Sequence, residues 1–318
     1  MSVGHVELES RYAGSLLGLA CGDALGTTLE FASPGSFEPI FEIQGGGPFQ
    51  LPPGYWTYDT SMAMCLAESL VERGGFDAAD QMQRYVCWWN EGHWSSTGQC
   101  FDIGTTTAKA LAKFVETGEP MSGGREPNTA GNGSLMRLAP VVLYYAADGS
   151  EAVRMAGESS RTTHGTRACI DCCRYMAALL VGALAGVSKE ELCSPKFSPQ
   201  AGLWQREPLH KEVEEVAMGS FRRRSPPHIK GSGFVVRSME AALWAFFHGR
   251  SFEDGALKAV NLGDDADTTG AIYAQLAGAH YGEEAIPERW RKMLHRGGEI
   301  REMAVRLLRA SMERRAGV

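Results

Sequence analysis

The sequence predicts an all-α fold arranged as one compact domain. Apolar residues recur at steps of three and four along most of the chain, which places them on one face of a helix. No segment alternates apolar and polar residues between hairpin turns, so no sheet is predicted. The Gly- and Pro-rich stretches at 45–54, 118–133 and 225–233 do not have the character of long disordered linkers. We therefore expect a single domain over residues 8–315.

Ten segments carry the helical pattern, and each predicts a helix because its apolar positions form one stripe. They indicate about a dozen helices in total, and the absence of a fixed-period repeat argues against a solenoid. In chain order the ten segments are Tyr12–Leu25, Ser61–Val71, Phe76–Trp89, Thr105–Phe114, Ser134–Ala146, Ala168–Leu184, Gly233–Phe247, Phe252–Val260, Thr268–His280 and Glu299–Met312.

Composition limits the classes of function. A chain of 318 residues with 44% hydrophobic content has ample material for a core. Its net charge of -7 argues against nucleic acid as a main partner, because such binding needs a basic face. The polar start lacks a signal-peptide pattern, and no apolar run approaches the ~20 residues that span a bilayer. We expect a cytosolic enzyme with no membrane partner; nothing in the sequence indicates its oligomeric state.

The eight cysteines lie mostly within apolar helical patterns, which predicts reduced, buried thiols. Cys169, Cys172 and Cys173 are clustered, but no second pair follows at zinc-site spacing. Core packing is therefore their expected role.

Two turns in the first half of the chain precede predicted helices. The turn at 56–61 reads Trp-Thr-Tyr-Asp-Thr-Ser and is rich in oxygen donors. The turn at 129–134 reads Thr-Ala-Gly-Asn-Gly-Ser and is predicted to open a helix at Ser134. Glycines before a helix N-terminus let backbone N–H groups approach a phosphate, so this second turn is a candidate diphosphate cradle. The alternative is an ordinary Asn-Gly turn before a serine cap.

The strongest chemical signal is the segment Asn261–Gly270, which holds three carboxylates and two threonine hydroxyls at the start of a helix. Carboxylates this close repel one another unless a cation or the helix N-terminus neutralises them. One interpretation is a site for a hard divalent metal. The other is helix capping, which needs only one aspartate.

Taken together and in this order, several segments resemble the ADP-ribosylglycohydrolase family, most closely its bacterial dinitrogenase reductase-activating branch. The resemblance covers nearly the whole chain, and its motifs are modest singly but occur in register. The matching stretches are Gly18–Gly26 with Glu30, Trp56–Met62, Phe101–Gly104, Ala130–Arg137, Thr163–His164, Gly233–Val236 and Asn261–Gly270.

The resemblance implies an all-α fold with a cleft that holds two Mg²⁺ or Mn²⁺ ions beneath the ribose of an ADP-ribosylated residue. Such ions prefer carboxylate and hydroxyl oxygens, in agreement with the residues present. Asp264 lies beside the matching positions. A helix cap or a group that supports the metal ligands explains it as well as a role as a ligand does. The implied metal ligands are Thr57, Asp59, Asp265, Asp267 and Thr268.

Tyr58 departs from the family pattern. Where the family usually has two consecutive aspartates after the first threonine, this chain has Tyr58 followed by Asp59. A neutral phenol is a poorer ligand for Mg²⁺ than a carboxylate. We therefore expect one of the two metal positions to be weakened or empty.

Two carboxylates are implied in catalysis. Cleavage of an N-glycosidic bond to ribose needs a water delivered to the anomeric carbon and a proton for the leaving group. The resemblance assigns this work to Asp102, whose alternative role is to cap the helix Thr105–Phe114. Glu30 resembles a residue of a mobile loop over the ribose; its alternative is a solvated loop carboxylate.

The remaining implied contacts hold the ADP part of the ligand. The diphosphate would be bound by Asn132 and by the backbone amides around Gly131, Gly133 and Ser134. His164 resembles a ligand-contacting histidine, although a lone histidine is more often structural. Phe234 lies where relatives place an aromatic ring against adenine, with packing at a helix start as the alternative.

The sequence thus predicts a hydrolase that removes ADP-ribose from a modified side chain, with arginine as the expected acceptor and an ADP-ribosylated protein as the partner. The alternative from a different class is a catalytically silent ADP-ribose-binding protein in which Tyr58 has disabled one metal position. A third is a structural protein that retains only the fold.

Overall fold

The computed structural model describes residues 4–316 and is all-α. Within this range no strand is present, only three isolated β-bridges. No helix in the same range is long and apolar enough to cross a membrane. Four 3-10 turns join the α-helices, which in chain order are α1 (His5–Gly26), α2 (Tyr58–Arg73), α3 (Ala78–Glu91), α4 (Thr105–Thr117), α5 (Ala139–Tyr145), α6 (Gly149–Arg161), α7 (Arg167–Leu184), α8 (Lys189–Leu192), α9 (Leu203–Arg206), α10 (Lys211–Ala217), α11 (Val235–His248), α12 (Phe252–Val260), α13 (Ala266–Tyr281), α14 (Glu288–Met293) and α15 (Gly297–Ala316).

All ten predicted helices are present, but two of them begin well away from the predicted residue. Helix α1 begins at His5, seven residues before the predicted Tyr12. The predicted helix Ser134–Ala146 begins five residues later, at Ala139. Pro140 occupies the first turn of α5, where a missing N–H is not needed for the helix. Before it, the carbonyl of Asn132 accepts hydrogen bonds from the N–H groups of Leu135 and Met136, so the chain forms turns.

Five helices were not predicted. Four of them are only four to seven residues long, too short for a periodic pattern to be recognised. The fifth, α6, is of ordinary length and has a recognisable start, because the Asp148 carboxylate accepts from the N–H groups of Ser150 and Glu151.

Helices α1 and α13 lie in closer contact than side chains would allow. Glycines recur every fourth residue along α1, at Gly14, Gly18, Gly22 and Gly26, facing the backbone of α13. A Cβ added at Gly22 would lie 2.3 Å from the carbonyl oxygen of Gly270. Such a distance is impossible for a real Cβ, so glycine is required for this approach.

The core surrounds this helix pair. Its largest fully buried side chains include Trp56, Trp88 and Trp290. Six of the eight cysteines are buried, and all are free thiols, which confirms the prediction of reduced, mostly buried cysteines. Helices α1 and α13 therefore lie at the centre of the fold. The start of α2 lies beside the start of α13.

Candidate active site

The two acidic turns converge. The hydroxyl of Thr57, just before α2, lies 3.0 Å from Asp267 Oδ2 in the first turn of α13. The same hydroxyl lies 3.4 Å from Asp59 Oδ2. A threonine hydroxyl carries one proton and cannot donate to both carboxylates at once. Oxygens from turns 210 residues apart in sequence thus share one small volume.

The start of α2 is capped by a carboxylate from another helix. Asp23, buried on α1, accepts hydrogen bonds from the N–H groups of Thr57 and Thr60 at 2.8 and 3.0 Å, and from both hydroxyls at 2.9 and 2.6 Å. Thr57 itself makes no side-chain cap. Sequence analysis gave Asp23 no role, although a carboxylate inside the apolar run of α1 was the available signal.

The start of α13 is capped in the same way. Glu30 Oε2 accepts from the N–H of Ala266 at 2.9 Å, whereas the side chain of Asp265 makes no cap. The capping alternative is therefore wrong for Asp265. The alternative of a solvated Glu30 is also wrong, because only 7% of this residue is exposed. Because Asp23 and Glu30 cap these two helices, the carboxylates of Asp59, Asp265 and Asp267 are available to another partner.

Together with Glu30, the carboxylates of Asp59, Asp265 and Asp267 form what we call the acid wall. One oxygen each of Glu30, Asp265 and Asp267 lie within 4.8 Å of one another. Asp59 Oδ1 is buried and has no hydrogen-bond partner within residues 4–316. Burial, with smaller effects from neighbouring carboxylates, raises the pKa of Asp267 to about 7 and that of Asp59 well above its ordinary value.

The donor set of the acid wall fits hard divalent cations. Buried carboxylates that repel one another, with an orphaned oxygen among them, are stabilised either by protonation or by a bound cation. Thr57 and Thr268 add hydroxyls at the same place. No Lys or Arg lines the surrounding cleft in the described part of the chain, so no side chain supplies a positive charge. Asp264 lines the cleft as well and forms no part of the cluster.

The acid wall borders a cleft of about 730 Å³. Asp102 lines it from a turn with a left-handed backbone, φ 58°. The N-cap of α4 is Gly104 rather than Asp102, so the capping alternative for Asp102 is wrong. Burial, and then the charge of Asp267, raise the pKa of Asp102 to about 9. In the metal-free protein this carboxyl group is therefore protonated at neutral pH.

Tyr58 also lines the cleft. Its ring stacks on Trp88, with centroids 6.1 Å apart, and its hydroxyl lies 3.1 Å from the position of a Cβ built on Gly104. The phenol thus points to the turn that carries Asp102. Burial, followed by the charge of Asp59, raises the pKa of Tyr58 well above its ordinary value, so the phenol stays neutral.

The opposite side of the cleft is what we call the glycine wall, formed by Gly131, Asn132 and Gly133 with His164 behind them. A Cβ on Gly133 would lie 2.8 Å from His164 Cε1, so the loop is packed directly on the imidazole. The N–H groups of Gly131 and Gly133 donate to no protein group within residues 4–316. They are available to a ligand, but not at a helix N-terminus, because α5 begins only at Ala139.

Two predicted ligand contacts, Asn132 and Ser134, have other partners within the protein, and a third, His164, is buried and neutral. The Asn132 amide donates to Asp265 Oδ2 at 2.7 Å and to Ser238 Oγ at 2.9 Å, which uses both of its N–H groups. Ser134 is buried and accepts from Ser160 Oγ at 2.8 Å. Burial lowers the pKa of His164 to about 3, aided by the charge of Arg137, so the imidazole is neutral.

Two phenylalanines stand at the edges of the cleft. Phe234 directly precedes α11, is paired with Gly131 in a β-bridge and is 36% exposed. Phe31 lines the cleft beside Glu30 and is 67% exposed. Sequence analysis gave Phe31 no role, and its only sequence signal was its position next to Glu30.

Comparison with known proteins identifies relatives along the whole length of the chain. The sequence model of the ADP-ribosylglycohydrolase family matches residues 5–317. The ADP-ribosylarginine hydrolase Tri1 of Pseudomonas putida (strain GB-1) is 40% identical over 297 residues, covering 93% of this chain and 77% of that protein. The ADP-ribosyl-dinitrogen reductase glycohydrolase of Rhodospirillum rubrum is 30% identical over 291 residues, covering 89% of this chain and 90% of the relative.

A solved structure shows the same fold. It is described as an ADP-ribosylglycohydrolase-related protein complex, is 44% identical in sequence and superposes with a TM-score of 0.85. The alignment covers 96% of this chain and 100% of the other. The resemblance noted from the sequence motifs is thereby confirmed.

Proposed function

Because this chain belongs to the ADP-ribosylglycohydrolase family, we propose that it hydrolyses the N-glycosidic bond between ADP-ribose and an arginine side chain of a modified protein. The arginine acceptor is proposed from the 40% identity to an ADP-ribosylarginine hydrolase. The observation that carries the chemistry is the convergence of the starts of α2 and α13 at one cleft. The cytosolic location and the domain limits 8–315 stay predictions.

The acid wall is proposed to hold Mg²⁺. Mn²⁺, which takes the same ligands, is the alternative metal. Glu30, Asp265 and Asp267 would hold one ion. Thr57 and Asp59, together with the same Asp267, would hold the other. Thr268 would lie beside them. When bound, such ions neutralise the carboxylates and attract hydroxyl oxygens of the ribose. The metal ligands predicted from the sequence remain proposals.

Asp102 and Glu30 face the cleft where the bond to ribose would lie. A protonated carboxyl group in a partly buried site can give a proton to the leaving guanidine and then, as a carboxylate, take one from the attacking water. Asp102 suits this exchange because the charges and the burial around it favour its protonated form. Glu30 is held by the N-terminus of α13, so it acts from a fixed position.

The glycine wall would bind the diphosphate through the backbone amides of Gly131 and Gly133. The side chain of Asn132 instead orients Asp265, which links the two walls of the cleft. Neutral His164 supports the loop from behind without adding charge. Phe234 remains the proposed contact for adenine at the exposed edge.

Tyr58 is proposed to weaken the metal position at Thr57 and Asp59. Its hydroxyl lies by the Asp102 turn, and a neutral phenol adds no negative charge to the set. This observation also favours the second candidate function, a protein that binds ADP-ribose without turnover. In either case the position formed by Glu30, Asp265 and Asp267 keeps all of its carboxylates.

The experiment is the release of ADP-ribose from an arginine-modified protein, with the native chain compared with Tyr58→Asp and Tyr58→Phe. The phenylalanine variant removes only the hydroxyl and serves as the matched control. We expect slow release by the native chain and faster release by Tyr58→Asp. Equal rates would refute impairment by Tyr58, and release by the Asp variant only would establish the silent binder.

Calorimetry with ADP-ribose, with and without Mg²⁺, completes the test. The hydrolase and the silent binder both require ADP-ribose binding that is strengthened by the metal. If no binding is observed in either condition, only the role of a structural protein that retains the fold remains.

A further inference from the structure

Phe31 is held in an unusual backbone conformation at the cleft. Its φ is 61°, and that of Asp264 beside it is 56°. Side chains other than glycine rarely adopt this region, so each residue must be held there by its surroundings. The N–H of Phe31 donates to the carbonyl of Asp264 at 2.7 Å, and the N–H of Asp264 donates to the carbonyl of Ala32 at 2.8 Å. Two strained residues thus stabilise each other's position.

The held conformation presents an aromatic ring to solvent. Phe31 is 67% exposed although it lies at the mouth of a cleft. Its ring meets Phe49 edge-on, with centroids 6.3 Å apart, and Phe49 meets Phe101 at 5.3 Å. The three rings thus contact one another in succession, and Phe101 directly precedes Asp102 in the chain. Strained backbone that exposes a large apolar side chain favours a binding role over a packing role.

The side chains near the ring are acidic. Glu30, Asp102 and Asp264 line the same cleft as Phe31, and no Lys or Arg lines it anywhere in residues 4–316. Asp264 makes no side-chain hydrogen bond to another described residue and is therefore free to accept one. An aromatic face beside the free carboxylate of Asp264 is complementary to a planar cation on an alkyl chain.

We propose that Phe31 and Asp264 form the acceptor subsite, which binds the alkyl-guanidinium group of ADP-ribosyl-arginine. The ring of Phe31 stacks on the guanidinium plane, and the carboxylate of Asp264 accepts its N–H groups. This inference rests on the proposed function and adds the residues that select a cationic acceptor. A neutral acceptor, such as a serine oxygen, gains nothing from either contact.

The test compares Phe31→Ala with Phe41→Ala, the latter being a phenylalanine of similar exposure, 64%, that does not line the cleft. Steady-state hydrolysis of ADP-ribosyl-arginine should show KM increased by about 2- to 30-fold in Phe31→Ala, the range expected for loss of a cation–aromatic contact. The control should stay within about twofold of the native chain, as is usual for surface changes. Phe31→Trp should restore the low KM.

The second readout is the Kd of free ADP-ribose, which lacks the guanidinium. It should be unchanged in Phe31→Ala and in Asp264→Asn, whereas Asp264→Asn should also increase KM for ADP-ribosyl-arginine. A change in the Kd of ADP-ribose as large as the change in KM would overturn the acceptor subsite, as would an unchanged KM.

Failure of the proposed function is recognised separately. If the native chain releases no arginine, hydrolysis is refuted, and the same variants are compared by calorimetry with intact ADP-ribosyl-arginine. Weaker binding in Phe31→Ala than in Phe41→Ala would then support the subsite. Equal binding would overturn it.

Discussion

The two walls of the cleft are built on opposite principles. The acid wall concentrates carboxylates, and the helices that carry Asp59, Asp265 and Asp267 are capped instead by Asp23 and Glu30. The glycine wall has no charged side chain and consists of a loop packed against the neutral ring of His164. The acid wall depends on charge and is the proposed site for a cation, while the glycine wall depends on space and needs the absence of side chains. A ligand that contains a ribose attached to a diphosphate would contact both walls.

Removing one central carboxylate should have the largest effect and should be confined to the acid wall. Asp267 is shared by the Thr57 hydroxyl and by the carboxylate cluster. Asp267→Asn should abolish the increase in melting temperature caused by Mg²⁺. It should also lower hydrolysis by more than the about 10- to 100-fold typical of a residue that only supports a metal ligand.

The matched control is Asp264→Asn, because Asp264 lies three residues away and outside the cluster. This variant should keep the stabilisation by Mg²⁺. The metal-free Asp267→Asn protein should be no less stable than the native chain, since one of several repelling buried charges is gone. An undiminished Mg²⁺ effect in Asp267→Asn would contradict the proposed metal position.

The next effect concerns the helix contact that holds the acid wall together. In Gly22→Ala the new Cβ would lie 2.3 Å from the Gly270 carbonyl oxygen, so α1 and α13 must move apart. We expect a loss of about 1–3 kcal/mol in the free energy of unfolding, measured with urea. Mg²⁺ affinity should fall too, because Asp23 positions Thr57 from α1.

Gly298→Ala is the control for this helix contact. Gly298 also lies in a helix, α15, but no atom lies within 4 Å of the added Cβ. There we expect an unchanged or slightly increased stability, by up to about 1 kcal/mol, because alanine reduces the freedom of the unfolded chain. Equal stability of the Gly22 and Gly298 variants would show that the close approach is not essential.

The two walls also differ in how well the sequence predicts them. Asp265 and Asp267 stand out because several carboxylates in one turn are unusual in any sequence. The segment directly after the glycine wall was wrongly predicted to be helical from Ser134, since local periodicity cannot show that Asn132 closes a turn and that the helix starts only at Ala139, before Pro140. A local sequence pattern shows which polar side chains a turn contains. Hydrogen bonds between distant residues decide which of these side chains remain available to a ligand.

The same reason explains the residues that were overlooked. Asp23 caps α2 from another helix, and Phe31 reaches the cleft only through its pairing with Asp264. Both roles depend on contacts across more than 30 residues. The helices themselves were predicted because their apolar stripes are local, and only short or polar ones were missed.

A methyl group in the glycine wall should weaken ligand binding and leave the metal response intact. Gly133→Ala places a Cβ 2.8 Å from His164 Cε1, whereas the nearest atom for Gly131→Ala is 3.3 Å away. We expect an about 10-fold higher Kd for ADP-ribose in Gly133→Ala, equivalent to one or two backbone hydrogen bonds, and a smaller change in Gly131→Ala. Calorimetry measures both. Loss of the Mg²⁺ response in Gly133→Ala would break the distinction between the walls.

The smallest effect should appear in the dependence of stability on pH, where the two walls act in opposite directions. His164 has a pKa of about 3 in the folded protein and of 6.5 without the fold. As the pH falls, His164 is therefore protonated in the unfolded chain before it is protonated in the folded protein. The stability due to neutral His164 is lost as the pH falls from 6.5 towards 3. Asp267 of the acid wall, with its pKa raised to about 7, has the opposite effect, because the folded protein keeps a proton that the unfolded chain releases.

Comparison with His164→Gln isolates the contribution of the histidine, because the carboxylates are the same in both proteins. The free energy of unfolding is measured in metal-free buffer at pH values from about 8.5 to 4. The native chain should lose its stability relative to the variant as the pH falls below 6.5, and the difference should be constant above about pH 7.5. A difference independent of pH over the whole range would mean that the fold does not lower the pKa of His164, so that the residue behind the glycine wall could become charged below pH 6.5.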